Sequence, residues 1–138
     1  MQTVNKIKNA LLLTTITTLV GCTTVADMAG YDTATLNTDA AKSYSQVISK
    51  ASGQGAVDNT SATAIRVKNV FNRMKPYAVR ANTTGVPFDW QVTVIRSPEL
   101  NAWAMPGGKM AFYTGIVEKL KLTDAEIAAI MGHEMTHA

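Results

Sequence analysis

Apolar residues recur along this chain with a period of either about 3.6 or about 2, and the two periods divide it into helical and extended stretches. From Asp39, the residues Ala40, Ala41, Tyr44, Val47 and Ile48 form a modest helical stripe. Thr38 or Asp39 is placed to cap it, and Ser52-Gly53-Gln54-Gly55 to end it. Asp58-Asn59-Thr60-Ser61 opens a second helix, in which Val67, Val70, Phe71 and Met74 follow i, i+3, i+4, i+7 and Pro76 marks the end. Asn82 to Pro87 reads as loop. The next stretch, Asp89 to Arg96, alternates and is rich in β-branched residues, which predicts a strand with Val92 and Val94 on one face. After a turn at Ser97-Pro98-Glu99-Leu100, two short strands, Ala102 to Met105 and Lys109 to Tyr113, flank Pro106-Gly107-Gly108. Thr114 is placed to cap a short helix burying Ile116, Val117 and Leu120. The last helix opens at Thr123, whose pairing with Glu126 makes a capping box, and Ile127, Ile130 and Met131 supply its apolar face. Helices and a few short strands in this order predict an α+β domain.

Composition narrows the reading. A chain of 138 residues, 46% hydrophobic and 17% charged, suffices for one globular domain. Its net charge of +3 falls to +1 without Lys6 and Lys8, a balance that does not point to nucleic acid. Arg66, Lys68, Arg73 and Lys75 lie largely on the remaining surface of the second helix and read as a solvated face, with contact to anionic headgroups as the alternative. Lys6 and Lys8 followed by the apolar run Ala10 to Val20 form a leader too short to span a membrane. Leu19-Val20-Gly21-Cys22 resembles a bacterial lipobox, in which the cysteine receives lipid and becomes the new N-terminus. The expected organisation is a lipoprotein signal peptide over 1–22, a tether over 23–38 and a domain over 39–138. Cys22 is the lone cysteine, so no intramolecular disulfide can form. Thr23 in the following position resembles a sorting signal for the outer membrane of a Gram-negative cell, so the expected location is that membrane's periplasmic side.

The candidate chemistry sits in the last helix. His133 and His137 are four residues apart, just over one turn, so both imidazoles project from one face and can converge on one ion. This is a zinc-ligand spacing. Glu134 lies about 100° around the helix from His133, which suits a general base acting on water rather than another ligand from the same turn.

His133-Glu134-Met135-Thr136-His137-Ala138, with Leu122 to Gly132 before it and Asn101-Ala102-Trp103-Ala104-Met105-Pro106-Gly107-Gly108 further upstream, resembles the gluzincin family of HtpX-like and CAAX-prenyl-protease-like metalloendopeptidases. Within that family the likeness is to bacterial lipoprotein peptidases of the LoiP type. The resemblance is specific from about Val92 to Ala138, weaker over Asn59 to Tyr77, and before that rests on the lipoprotein signal. It implies a zincin-like domain with the active-site helix at the C-terminus, one Zn2+ held by His133 and His137, and Glu134 as base. It further implies an edge strand at Asn101, Ala102, Trp103 and Ala104 along which an extended protein or peptide substrate adds by backbone hydrogen bonds. Trp103 and Met105 are candidates to line a pocket there. In such peptidases a glutamate on a later helix is the third ligand, and a later histidine stabilises the oxyanion. One residue follows His137, so the expectation is the N-terminal part of a longer peptidase, itself inactive and weak in zinc binding. The function expected of the whole is cleavage of unfolded or misassembled envelope proteins. Two alternatives stand beside it: a non-enzymatic lipoprotein that chaperones or binds outer-membrane proteins, and a structural or non-functional remnant.

Overall fold

A computed structural model describes residues 32–138. The expected signal peptide, Cys22 and the expected tether up to residue 31 lie outside the described residues. Four helices and a three-stranded sheet follow one another as α1 (Thr33–Gly53), α2 (Ala62–Ala81), β1 (Gln91–Ile95), β2 (Ala102–Met105), β3 (Lys109–Tyr113), α3 (Thr114–Lys119) and α4 (Asp124–His137). The α+β expectation is met, with the histidine-bearing helix last.

The sheet is mixed, in the order β1-β3-β2. β1 runs parallel to β3, with Val92 opposite Met110 and Val94 opposite Phe112. β2 runs antiparallel to β3, with Ala102 opposite Phe112 and Trp103 opposite Ala111. The turn between β2 and β3 depends on glycine: Gly107 and Gly108 have φ of 85° and 88°, and a Cβ on Gly108 would stand 2.8 Å from the Trp90 ring.

Side chains alternate across the sheet and so feed two different cores. On one face, Val94, Met110 and Phe112 join Val67, Val70 and Phe71 of α2 and Ile127 and Met131 of α4 in a buried apolar cluster. On the other, Ile95 and Ala111 meet Ala51 of α1, with Ile48 and Trp103 packed around them. The Tyr44 hydroxyl reaches across from α1 to donate to the Met110 carbonyl at 3.0 Å, and it shares a 2.6 Å hydrogen bond with Thr93 Oγ1. Burial pushes the Tyr44 hydroxyl pKa up, so it stays a neutral donor.

Several boundaries differ from the sequence reading. α1 begins at Thr33, because Asp32 caps it by accepting from Thr35 N at 2.8 Å, and neither Thr38 nor Asp39 is the cap. Residues 33–38 are therefore helix rather than tether. Pro76 does not end α2, which continues to Ala81. A proline removes one backbone donor and crowds the preceding turn, yet Pro76 and Asn72 lie on the exposed side, where water can serve the freed carbonyl. Beyond it, Ala78 still packs on the core. Thr114 is not a cap but the first residue of α3, and its hydroxyl bonds the backbone of Ser97 instead. Leu120, expected to be buried, is 53% exposed because α3 ends at Lys119 and the chain turns away.

Candidate metal centre

The helix that carries the histidines is held hardest at its start. Thr123 Oγ1 accepts from Glu126 N at 3.3 Å, and the Glu126 carboxylate accepts from Thr123 N at 2.7 Å, completing the capping box. The backbone donor of Thr123, followed by its hydroxyl, lowers the Glu126 pKa. From α2, the Arg66 guanidinium donates to the Leu122 carbonyl at 2.6 Å and to Asp124 Oδ1 at 2.9 Å. Arg66 is thus not a purely solvated cation, as its place on the helix surface suggested. Periodicity cannot reveal this contact, since its partners lie more than 50 residues away. One turn later Ile127 is fully buried, and Met131 after it. Gly132 lets α2 and α4 approach closely, for a Cβ there would stand 3.3 Å from Met74 Cε.

Past this anchored part, α4 turns its chemistry outward. His133 and His137 are exposed and Glu134 is half-buried. The two imidazoles approach each other with Nε2 to Nε2 at 3.1 Å and rings nearly perpendicular, at 78°. A tetrahedral zinc ion at about 2.0–2.1 Å from each nitrogen would separate them by about 3.3 Å, so the pair fits one ion after a small side-chain adjustment. Among the described residues, no group of three or more His, Cys, Asp or Glu side chains is assembled to hold a metal. The pair by itself therefore offers two of the three protein groups that a catalytic zinc site uses. Thr136 donates its hydroxyl to the His133 carbonyl at 2.6 Å, giving the exposed turn one local restraint.

β2 is an edge strand and packs against α4, so the expected substrate strand and the histidine helix are neighbours. Ala102 and Ala104 face the core that α4 shares. Trp103 points to the opposite face, where its ring lies 6.0 Å from Tyr44 and its Nε1 donates to the Tyr113 hydroxyl at 3.4 Å. Its indole therefore does not line a pocket on the α4 side. Asn101 precedes the strand and is exposed, with its carbonyl accepting from Tyr113 N at 3.1 Å.

Residues 61–138, which hold the helix pair α2 and α4, the sheet and both histidines, match peptidase family M48. The chain belongs to this family. Metalloprotease YcaL of Escherichia coli is 29% identical over 146 residues, covering 94% of this chain and 54% of that protein. Metalloprotease LoiP of the same organism is 35% identical over 60 residues, covering 44% of this chain and 22% of that protein. The mitochondrial metalloendopeptidase OMA1 of Arabidopsis thaliana is 38% identical over 64 residues, covering 46% of this chain and 13% of that protein. The chain thus aligns with about half of YcaL and with smaller fractions of the others. No solved structure matches the chain.

Proposed function

We propose that this M48 chain supplies the zinc-binding helix, the base and the substrate strand of a zinc-dependent endopeptidase that cleaves unfolded or misassembled proteins of a bacterial envelope. The observation that carries the reading is the convergence of His133 and His137 Nε2 to 3.1 Å on the open face of a helix anchored at its other end. His133 and His137 would hold the ion, and a carboxylate from outside residues 32–138 would complete three protein ligands. When bound, zinc supplies Lewis acidity, bringing the pKa of water toward neutrality and polarising a peptide carbonyl.

Glu134 takes the proton of the attacking water and passes it to the departing amine. One residue after His133, it would reach a water held by the ion without entering the ligand set. An extended substrate adds to β2 along Asn101 to Ala104 by backbone hydrogen bonds, which tolerate many side chains, as a protease for unfolded proteins requires. Cys22 carries the lipid that holds the domain at the periplasmic side of the outer membrane. Metabolic labelling with a tagged fatty acid tests the anchor: wild type is labelled and sediments with membranes, Cys22→Ala is neither, and an unlabelled wild type rules the anchor out.

The catalytic assignment is tested on the site completed with its third ligand. Glu134→Gln keeps one equivalent of zinc while cleavage of an unfolded protein falls by about 10²–10⁴, and His133→Ala loses zinc. Binding of the unfolded protein with no cleavage by wild type would instead assign a chaperone role. Stoichiometric zinc and cleavage by residues 23–138 alone would place the third ligand within this chain.

A further inference from the structure

The elements of residues 32–138 run between two ends of the domain. At one end α1 stops, α2 and α4 start, and β1 and β3 finish. Arg96 N donates to the Ala56 carbonyl there at 2.6 Å, Ser97 is bonded to Thr114, and Arg66 holds the Leu122 carbonyl just before α4. At the other end α1 starts, α2 stops, β1 and β3 begin, and α4 finishes. His133 and His137 fall in the last five residues of α4, so the histidine pair belongs to this second end.

A run of neighbours ties the start of α1 to the end of α4. Asn37 lies against the β2–β3 turn, where a Cβ on Gly107 would stand 3.0 Å from Asn37 Cγ. Ala34 and Asn37 share a groove with Val86 and Pro87. Val86 and Pro87 border a second groove with Asn82, Phe88 and Trp90. Phe88 and Trp90 border a third with Thr136 and Ala138. The loop from Asn82 to Phe88 therefore bridges from the first turns of α1 to the turn that carries His137, although Asp32 and His137 are more than 100 residues apart in sequence.

Cys22 precedes Asp32 by ten residues. A chain advances by at most about 3.3–3.6 Å per residue, so a lipid on Cys22 holds Asp32 within about 35 Å of the bilayer surface. α1 has 21 residues and rises about 30 Å, so its start, and not its distant end, is the part held there. We infer that the end of the domain bearing His133 and His137 is turned to the bilayer, and that the substrates are unfolded chains held at that surface rather than chains free in solution. The bilayer excludes the domain from half the space around Cys22, which keeps the attached end the nearer one on average. Confinement also raises the effective concentration of any chain anchored in the same surface, and that concentration falls as a tether lengthens. The orientation rests on the proposed lipid at Cys22, and the substrate class rests on the proposed peptidase activity as well.

Orientation is read on the full acylated chain, purified from membranes and placed in vesicles of phosphatidylethanolamine and phosphatidylglycerol that carry an energy acceptor on the headgroups. Acylation blocks Cys22, so one introduced thiol carries the donor dye. Thr83→Cys places it in the loop beside Thr136 and Ala138. Lys119→Cys places it at the opposite end, next to Glu118, which accepts from Thr63 at the start of α2. Both positions are exposed. Transfer from the Thr83 position should be severalfold stronger, since the length of α4 alone separates the two ends by about 20 Å. A long Gly-Ser insertion between Tyr31 and Asp32 should weaken it. Equal transfer, or stronger transfer from the Lys119 position, on a chain that sediments with the vesicles would overturn the orientation. A chain that does not sediment fails the anchor itself and takes the orientation with it. For the substrate class, the zinc-loaded peptidase completed with its third ligand should cut an unfolded protein linked to lipid of the same vesicle severalfold faster than the same protein in solution. Cys22→Ala should abolish that difference. Equal rates for the two substrates would overturn the substrate class even where the orientation holds, and cleavage of neither would refute the peptidase reading beneath it.

Discussion

The two faces of the small sheet are built on different principles. The face toward α2 and α4 is dry: Phe112, Met110, Ile127, Met131, Val67 and Val70 are at most 1% exposed and make one apolar cluster. The face toward α1 has a smaller cluster of Ala51, Ile95 and Ala111, and α1 is tied to it by the Tyr44 hydroxyl as well as by packing. The difference teaches where the molecule invests rigidity. The helix that bears the histidines rests on the well-filled side, where packing density resists displacement. The first helix, α1, rests on the lighter side.

The largest test of this contrast is a pair of truncations. Phe112→Ala should cost about 3–5 kcal/mol, as removal of a buried aromatic does, whereas half-buried Ile48→Ala on the other face should cost about 1 kcal/mol. Denaturant melts of the two variants measure it, and similar losses would break the comparison. The second test sharpens the polar side. Tyr44→Phe leaves the ring but removes the bonds to Thr93 and Met110, for an expected loss of about 1 kcal/mol. Thr93→Val in the same background should add little if the two hydroxyls act as one unit, which a double-mutant cycle reads directly.

The smallest effect lies where the chain crosses from one face to the other. Residues 56–58 run beside β1, with Asp58 N donating to the Val94 carbonyl at 2.9 Å. The buried Asp58 carboxylate then accepts from Thr60 N and Ser61 N at 3.1 and 3.0 Å at the entrance to α2, with Arg96 3.8 Å away. Hydrogen bonds from Ser61 are the main cause that holds its pKa below the ordinary value of 3.8. A lowered folded-state pKa means that the stabilisation is fully present above about that ordinary value and is lost as pH falls through the lower folded value. The stability gap between wild type and Asp58→Asn should therefore be constant from neutral pH down to about pH 4 and narrow below it. Thermal melts across that range measure the gap, and a gap that widened in acid would refute the assignment. Asp32, Asp89 and Glu126 are lowered as well, so the comparison with Asp58→Asn, rather than the wild-type profile alone, isolates this crossing.

Local patterns determined a good part of this protein before any fold was known. The Thr123–Glu126 capping box, the burial of Ile127 and Met131 and the shared face of His133 and His137 all follow from spacings of three and four residues, which a helix converts into contacts without help from elsewhere. The alternation of β1 and the Gly107-Gly108 turn are local in the same sense. Tertiary structure decided what depends on partners distant in sequence. The pairing of both β1 and β2 with β3 puts the last strand in the centre and leaves β1 and β2 at the two edges. The twofold alternation put Trp103 on the α1 face because its neighbour Ala111 lies there, a fact invisible within Asn101 to Gly108. Arg66 became a clamp on α4 only when α2 was laid beside it. Pro76 stayed inside its helix because packing beyond it, through Ala78, outweighs one lost backbone hydrogen bond on an exposed side. Spacing can place two ligands on a face, but only the packing of separate elements determines which groups stand around them.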